Sequence, residues 1–274
     1  MSDVTKTMTA TVGPSTAREF GAVNWMGLWT LYKKEVYRFW RIGPQTLLAP
    51  VISNLLYLTV FVFAFAESRA GGADEFIKFL IPGLIMLGIL NNSSANGSSS
   101  LMQGKLMGAI IDVLMPPLSY LELALGFIFG AATRGICVAI FTAFVLSIFG
   151  LTWPQHWWAV LYFGISAAFM LGMVGVLSGI WAEKFDQLAV VNQFIILPLS
   201  FLSGTFYSIT VLPELWQKVI LFNPLFYLID GFRFGFLGTS DGSIQTGVIV
   251  TAVINVVLFA ICVRVLKTGW RLKA

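Results

Sequence analysis

Runs of roughly 20 apolar residues recur along this chain, each long enough as a helix to cross a hydrocarbon core of about 30 Å. They predict spans at Thr46 to Ala66, Phe76 to Ala95, Tyr120 to Phe149 and Ala159 to Trp181, a fifth starting near Leu188, and a last at Gly247 to Leu266. The composition agrees, with 57% hydrophobic and 11% charged residues where soluble domains carry about 25% charged. A mean hydropathy of +0.84 excludes a soluble enzyme. The expected fold is therefore an all-α integral membrane protein with six transmembrane helices, an N-terminal interfacial helix and a broken re-entrant segment before the last span.

Residues 1–24 read as a flexible cytosolic tail, polar and without the apolar core of a cleavable signal. From Trp25 to Arg41, the residues Trp25, Leu28, Trp29, Tyr32, Val36, Phe39 and Trp40 share one helical face, while Lys33, Lys34, Arg38 and Arg41 occupy the rest. That pattern predicts a helix in the membrane surface, aromatics in the headgroup layer and cations toward anionic lipid. Pro44 opens the first span, and Glu67 to Glu75 forms a charged loop. The second span ends in Asn91, Asn92, Ser93, Ser94, Asn96 and Ser98 to Ser100, a polar stretch that must face protein or water instead of lipid.

Leu101 to Met115 follows as a short amphipathic segment carrying Lys105 and Asp112. Pro116 and Pro117 close it, because neither has an amide proton and the second pushes the first out of helical geometry. In the fourth span Gly164, Ala168 and Gly172 recur every four residues, as do Gly175 and Gly179, which permits close helix approach. From Pro198 to Tyr227 the chain stays apolar but is interrupted by Pro198, Gly204, Pro213 and Pro224, so two short helical pieces dipping into the outer leaflet are expected. Asp230 to Gly242 reads as an exposed loop.

The positive-inside rule orients the spans. With both termini cytosolic, Lys6, Arg18, Lys33, Lys34, Arg38, Arg41, Lys105, Lys184, Arg264, Lys267, Arg271 and Lys273 lie inside, and Arg69, Lys78, Lys218 and Arg233 outside. Basic residues thus mark topology at the ends of spans, and no nucleic-acid partner is expected. Cys137 and Cys262 sit inside apolar runs and read as buried free thiols.

Catalytic signatures are missing from the sequence. It has neither an HExxH pair nor a GxSxG elbow, and the single histidine, His156, belongs to the aromatic loop Thr152 to Trp158. Gly104-Lys105 continues into Leu106 and Met107 where a phosphate-binding loop needs Ser or Thr, so this chain alone cannot hydrolyse ATP. No metal or cofactor is expected on it. Arg134 is the ionisable residue deepest in a span, with Glu122 nearer the start of the same helix. Arg134 is read as a partner of Asn91 or Asn92, or else as a substrate contact. Tyr57, Phe61, Phe63 and Phe65 of the first span either face lipid or line a pathway for an amphipathic substrate.

Two stretches carry a resemblance. One runs Leu197-Pro198-Leu199-Ser200-Phe201-Leu202-Ser203-Gly204-Thr205-Phe206-Tyr207-Ser208, then Leu212-Pro213, Trp216, Asn223-Pro224-Leu225 and Gly231-Phe232-Arg233; the other is Leu114-Met115-Pro116-Pro117-Leu118-Ser119. In this order they resemble the membrane subunit of type-2 ABC exporters, across roughly Trp25 to the C-terminus. The resemblance implies a permease paired with a second copy of itself or a close relative, and with separate ATP-binding subunits that hold ATP and Mg. It implies further that Leu101 to Met115, with Lys105, Asp112, Pro116 and Pro117, couples to the ATP-binding subunit. Pro198, Ser203, Gly204, Phe206, Tyr207, Pro213, Asn223 and Pro224 would form an external gate, and Tyr57, Phe61, Asn92 and Arg134 a pathway. The expected location is the bacterial inner membrane, with membrane lipid as a further partner. The implied activity is outward movement of a lipid, a drug or a lipid-linked glycan, with polysaccharide export as a rival. A secondary transporter, a channel and a membrane anchor remain open.

Overall fold

The computed structural model describes residues 23–65 and 72–272, so all of the expected tail but Val23 and Asn24, and most of the Glu67 to Glu75 loop, lie outside it. Among the described residues every regular element is helical. The order is α1 (Trp25–Arg41), α2 (Gly43–Phe65), α3 (Gly72–Leu106), α4 (Ile110–Leu114), α5 (Tyr120–Leu146), α6 (Trp157–Trp181), α7 (Phe185–Leu202), α8 (Glu214–Leu221), α9 (Pro224–Leu237) and α10 (Ile244–Thr268). The helices α2, α5, α6, α7 and α10 are long and apolar enough to cross a membrane. The pair α8 and α9, bent by 94°, makes a sixth candidate if counted as one broken span.

At the centre stands α3, whose 35 residues extend about 52 Å at 1.5 Å per residue. Its polar stretch does not end a short span at Ala95 as expected; the helix runs on to Leu106 and buries Asn92, Ser93, Ser94, Asn96, Ser98 and Ser100. Continuation is helped by neighbouring helices that pair Asn96 and Ser94. Asn96 Nδ2 donates to the Gly130 carbonyl of α5 at 3.0 Å, and Ser94 Oγ to Asn192 Oδ1 of α7 at 3.0 Å. Ser98 Oγ turns back to the Ser94 carbonyl at 2.9 Å.

Small residues let α3 and α6 touch backbone to backbone. A Cβ on Gly97 would stand 2.7 Å from the Gly172 carbonyl oxygen, and one on Gly179 would stand 2.7 Å from that of Ser98. The glycine spacing of α6 thus serves the close approach expected of it. A second consequence is that the stretch 101–115 is not one amphipathic unit. Leu101 to Leu106 are the last turns of α3, Gly108 at φ 69° ends the helix, and α4 follows. The bend at Pro116 and Pro117 comes next, and α5 starts behind a capping box made by Ser119 and Glu122.

Helix α1 departs from the expected arrangement of faces. It lays Leu31, Glu35 and Phe39 against the bundle and leaves Trp25, Trp29, Tyr37 and Trp40 exposed. Gly126 and Gly130 of α5 make room for Leu31 and Glu35. Arg38 does not face lipid: its Nη2 reaches Asn96 Oδ1 at 2.8 Å and Glu35 Oε2 at 3.3 Å. An ion pair placed beside a buried amide explains why two charged residues of this helix, Glu35 and Arg38, turn inward.

The interrupted region also differs. Helix α7 passes through Pro198 without breaking, because a π-helical section at Val191–Ile196 widens the turn just before the proline. The break begins only at Ser203, followed by Gly204 at φ 77°. Beyond it, Asp230 to Gly242 is not an exposed loop. Asn223 caps and Pro224 opens α9, which runs to Leu237 with both Asp230 and Arg233 buried. Asp230 is satisfied internally, accepting from the amides of Asp241 at 2.9 Å and Gly242 at 3.0 Å.

Candidate functional site

Between α2, α3, α5 and α7 lies a cavity of about 590 Å³. Its wall is polar for a membrane protein: Gln45, Ser53 and Asn54 come from α2, Asn91 and Asn92 from α3, Arg134 from α5, and Asn192 and Gln193 from α7. Each helix contributes for a local reason. The π-helical section of α7 rotates Asn192 and Gln193 toward the cavity, Asn54 is held by donation to the Leu84 carbonyl at 3.2 Å, and Asn92 by donation to that of Gly88 at 3.0 Å. Arg134 reaches Asn92 Oδ1 from Nη2 at 3.4 Å, one of the two asparagines considered as its partner.

A cluster of aromatic rings adjoins the cavity at Tyr57, the end away from α1. Tyr57, which lines the cavity, meets Phe201 edge-on at 6.2 Å and Phe206 at 5.9 Å. Phe61 stacks on Phe206 at 4.1 Å, nearly parallel. Two expected pathway residues and one expected gate residue therefore form a single cluster with Phe201, each ring pair contributing about 0.5–1.5 kcal/mol beyond its buried area.

The loop that carries Phe206 is held from three sides. Arg233 Nη2 donates to the Gly204 carbonyl at 2.6 Å and lies over the Phe79 ring at 3.8 Å. Asn223 Nδ2 donates to the Leu199 carbonyl at 2.9 Å and to Ser203 Oγ at 2.7 Å, tying α9 to the end of α7. Tyr207 donates to the Leu202 carbonyl at 3.1 Å. Pro213 and Pro224 stand at the starts of α8 and α9, whereas Pro198 lies inside α7 and away from the break.

At the opposite end the four expected coupling residues have different surroundings. Asp112, Pro116 and Pro117 are exposed. Lys105 is turned inward, where Nζ donates to the carbonyls of Ile180 at 2.8 Å and of Ala182, the end of α6. Burial holds this amine below the usual lysine range, Glu183 opposing that shift and Arg271 adding to it. The cation thus caps a helix C-terminus, where the dipole favours it.

Sequence reading gave no role to Asn24, Asn192, Gln193 and Phe201, and took Glu122 only as an ionisable residue near the start of its helix. Glu122 accepts from the amides of Asn24 and Ser119, both at 2.6 Å, and Asn24 Nδ2 donates to the Pro117 carbonyl at 3.2 Å. These bonds join the head of α1, the paired-proline bend and the first turn of α5 into one junction. A Ser-x-x-Glu capping box at Ser119 was the available signal. Nothing local announces the others, because a π-helical turn and a cross-helix ring stack depend on neighbours distant in sequence.

Comparison with known proteins bears on this architecture. Residues 26–237 match the model of the family described as ABC-2 type transporter. The chain is 34% identical over 253 residues to the inner membrane transport permease YadH of Escherichia coli strain K12, covering 91% of this chain and 98% of the relative. It is 23% identical over 259 residues to nodulation protein J of Rhizobium leguminosarum bv. viciae, covering 90% and 95%. It is 20% identical over 205 residues to the daunorubicin resistance ABC transporter permease protein DrrB1 of Streptomyces coeruleorubidus, covering 66% and 65%. With long apolar helices around a polar cavity and a family match across most of its length, this chain belongs to the ABC-2 type transporter family, as a multi-pass membrane permease subunit.

Proposed function

We propose that this permease works in an ATP-driven exporter, in which a separate ATP-binding subunit holds ATP and Mg and two copies of this chain enclose the route of an amphipathic substrate. The observation that carries the reading is a polar cavity adjoined at Tyr57 by the rings of Phe61, Phe201 and Phe206, together with a bonded junction of α1, the proline bend and α5 elsewhere in the bundle. Both termini are cytosolic in this reading, as the distribution of basic residues favours. The exposed bend from Met107 to Pro117 then meets the ATP-binding subunit. Glu122 and Asn24 carry its displacement into α1 and α5, and α5 bears Arg134 on the cavity wall.

A second copy fits beside the cavity. Its flanking helices α2 and α7 expose large apolar side chains, Phe63 at 86% and Phe194 at 76%. A lipid, a drug or a lipid-linked glycan suits the mixture of polar cavity and apolar flanks. The ion-coupled alternative lacks support, since no carboxylate lines the cavity, and such coupling uses ionisable groups at membrane depth. The test is to purify the tagged chain from its native host, identify co-purifying subunits and measure ATPase and transport in proteoliposomes. Recovery of an ATP-binding subunit and nucleotide-dependent movement are expected; transport that persists without nucleotide overturns the reading.

A further inference from the structure

Arg134 sits at the middle of α5, about 21 Å along the helix from Tyr120, and its side chain opens into the polar cavity. A guanidinium carries five donors in a rigid fork. Here one is used, from Nη2 to Asn92 Oδ1 at 3.4 Å, a long and weak bond. Nε is buried with no acceptor.

The other inward arginines of the bundle are compensated. Arg38 pairs with Glu35 and with Asn96. Arg233 also lacks a partner at Nε, but it holds the Gly204 carbonyl at 2.6 Å, covers the Phe79 ring and feels the charges of Asp230 and Asp241. Arg134 has no such counter-charge. Both ion pairs among the described residues use other arginines, and the charge that acts on Arg134 is that of Arg38, of like sign. The rest of the cavity wall carries no charge, only neutral amides, hydroxyls and apolar side chains. A cation partly buried among such groups without an anion is costly, and an anionic group in the cavity would relieve that cost.

We propose that Arg134 recognises the anionic group, phosphate or carboxylate, of an amphiphile that occupies this cavity. The proposal rests on the export reading and deepens it by naming the substrate class as anionic amphiphiles. A guanidinium matches either oxyanion bidentately. The neighbouring amides Asn54, Asn91 and Gln193 suit a polar head, and the exposed apolar faces of α2 and α7 suit a chain.

The experiment uses the full chain in nanodiscs of zwitterionic phosphatidylcholine, with dodecyl phosphate, dodecyl trimethylammonium, dodecyl maltoside and inorganic phosphate as probes. Wild type is expected to bind dodecyl phosphate at least tenfold more tightly than the trimethylammonium or maltoside compound, about 1.4 kcal/mol at 25 °C. R134Q is expected to erase that discrimination and R134K to keep part of it, whereas a merely structural arginine would leave the ranking by charge unmoved. Absence of discrimination in wild type, or its survival in R134Q, overturns the proposal; should R134Q fail to fold, the wild-type ranking decides. Inorganic phosphate binding as tightly as dodecyl phosphate also overturns it. Replacing part of the phosphatidylcholine by phosphatidylglycerol separates two sources of the same chemistry: competition identifies bulk anionic lipid, and no competition identifies a dedicated amphiphile. No nucleotide or ATP-binding subunit is present, so failure here is distinct from failure of the ATP-driven reading.

Discussion

Replacing Gly175 by alanine adds a single methyl group where α6 meets α3. The new Cβ would stand 2.9 Å from both the Cα and the carbonyl carbon of Ser94 and closer still to its oxygen, all of them backbone atoms that cannot rotate aside. Carbon pairs prefer about 3.5–4.0 Å, so the helices must separate locally by roughly 0.6–1 Å, and a gap of that size forfeits a quarter to a half of each contact's attraction. Overpacking of this kind costs about 1–3 kcal/mol, against a gain of about 0.8–1 kcal/mol from alanine's helix propensity. A net loss is expected. The internal control is G104A, in the last turn of α3, where the nearest atom to the added Cβ is Ile110 Cδ1 at 3.7 Å and the smaller propensity gain near a helix end stands unopposed. Melting is measured in nonionic detergent with a thiol-reactive dye, since Cys262 is buried and Cys137 half-buried, and both react as the bundle opens. G175A should melt below wild type and G104A at or above it. G175A melting with or above G104A would refute the packing argument.

Three further outcomes follow from the polar contacts. E122A frees the amides of Asn24 and Ser119, at about 1.5–3 kcal/mol for each bond to a charged group, so faster hydrogen exchange at the head of α1 and at Leu118 and Ser119 is expected; unchanged exchange refutes the junction. K105M removes the cap on the last carbonyls of α6 and should lower the melting temperature, whereas D112A, on an exposed side chain, should leave it within about 0.5 kcal/mol of wild type and lower the ATPase of the complex instead. Equal thermal effects of K105M and D112A would contradict the distinction. R233L leaves the Gly204 carbonyl without its 2.6 Å donor at a cost of about 1–3 kcal/mol, loosening the loop that carries Phe206, and proteolysis after Phe206 or Tyr207 reads it; no gain in cleavage would count against that anchor.

The fold class and most helix positions were legible in the sequence, because an apolar run of about 20 residues has few alternatives in lipid and prolines and glycines punctuate it. The glycine stripe of α6, the paired-proline bend and a polar stretch needing protein cover are of the same kind, each being a local property of residue type and spacing. Several features belonged to tertiary structure alone. Whether α3 stopped at Ala95 or continued to Leu106 depended on Gly130, Gly172 and Gly175 offering carbonyls and room from other helices. Asp230 and Arg233 looked like loop residues because charge predicts exposure until partners are known; here Asp230 finds the Asp241 and Gly242 amides and Arg233 the Gly204 carbonyl. The cavity likewise gathers Tyr57, Asn92, Arg134 and Asn192 from four helices. Periodicity records which residues share a face of one helix, but the energy of burying a polar group is set by atoms far away in the chain, and only packing brings those into reach.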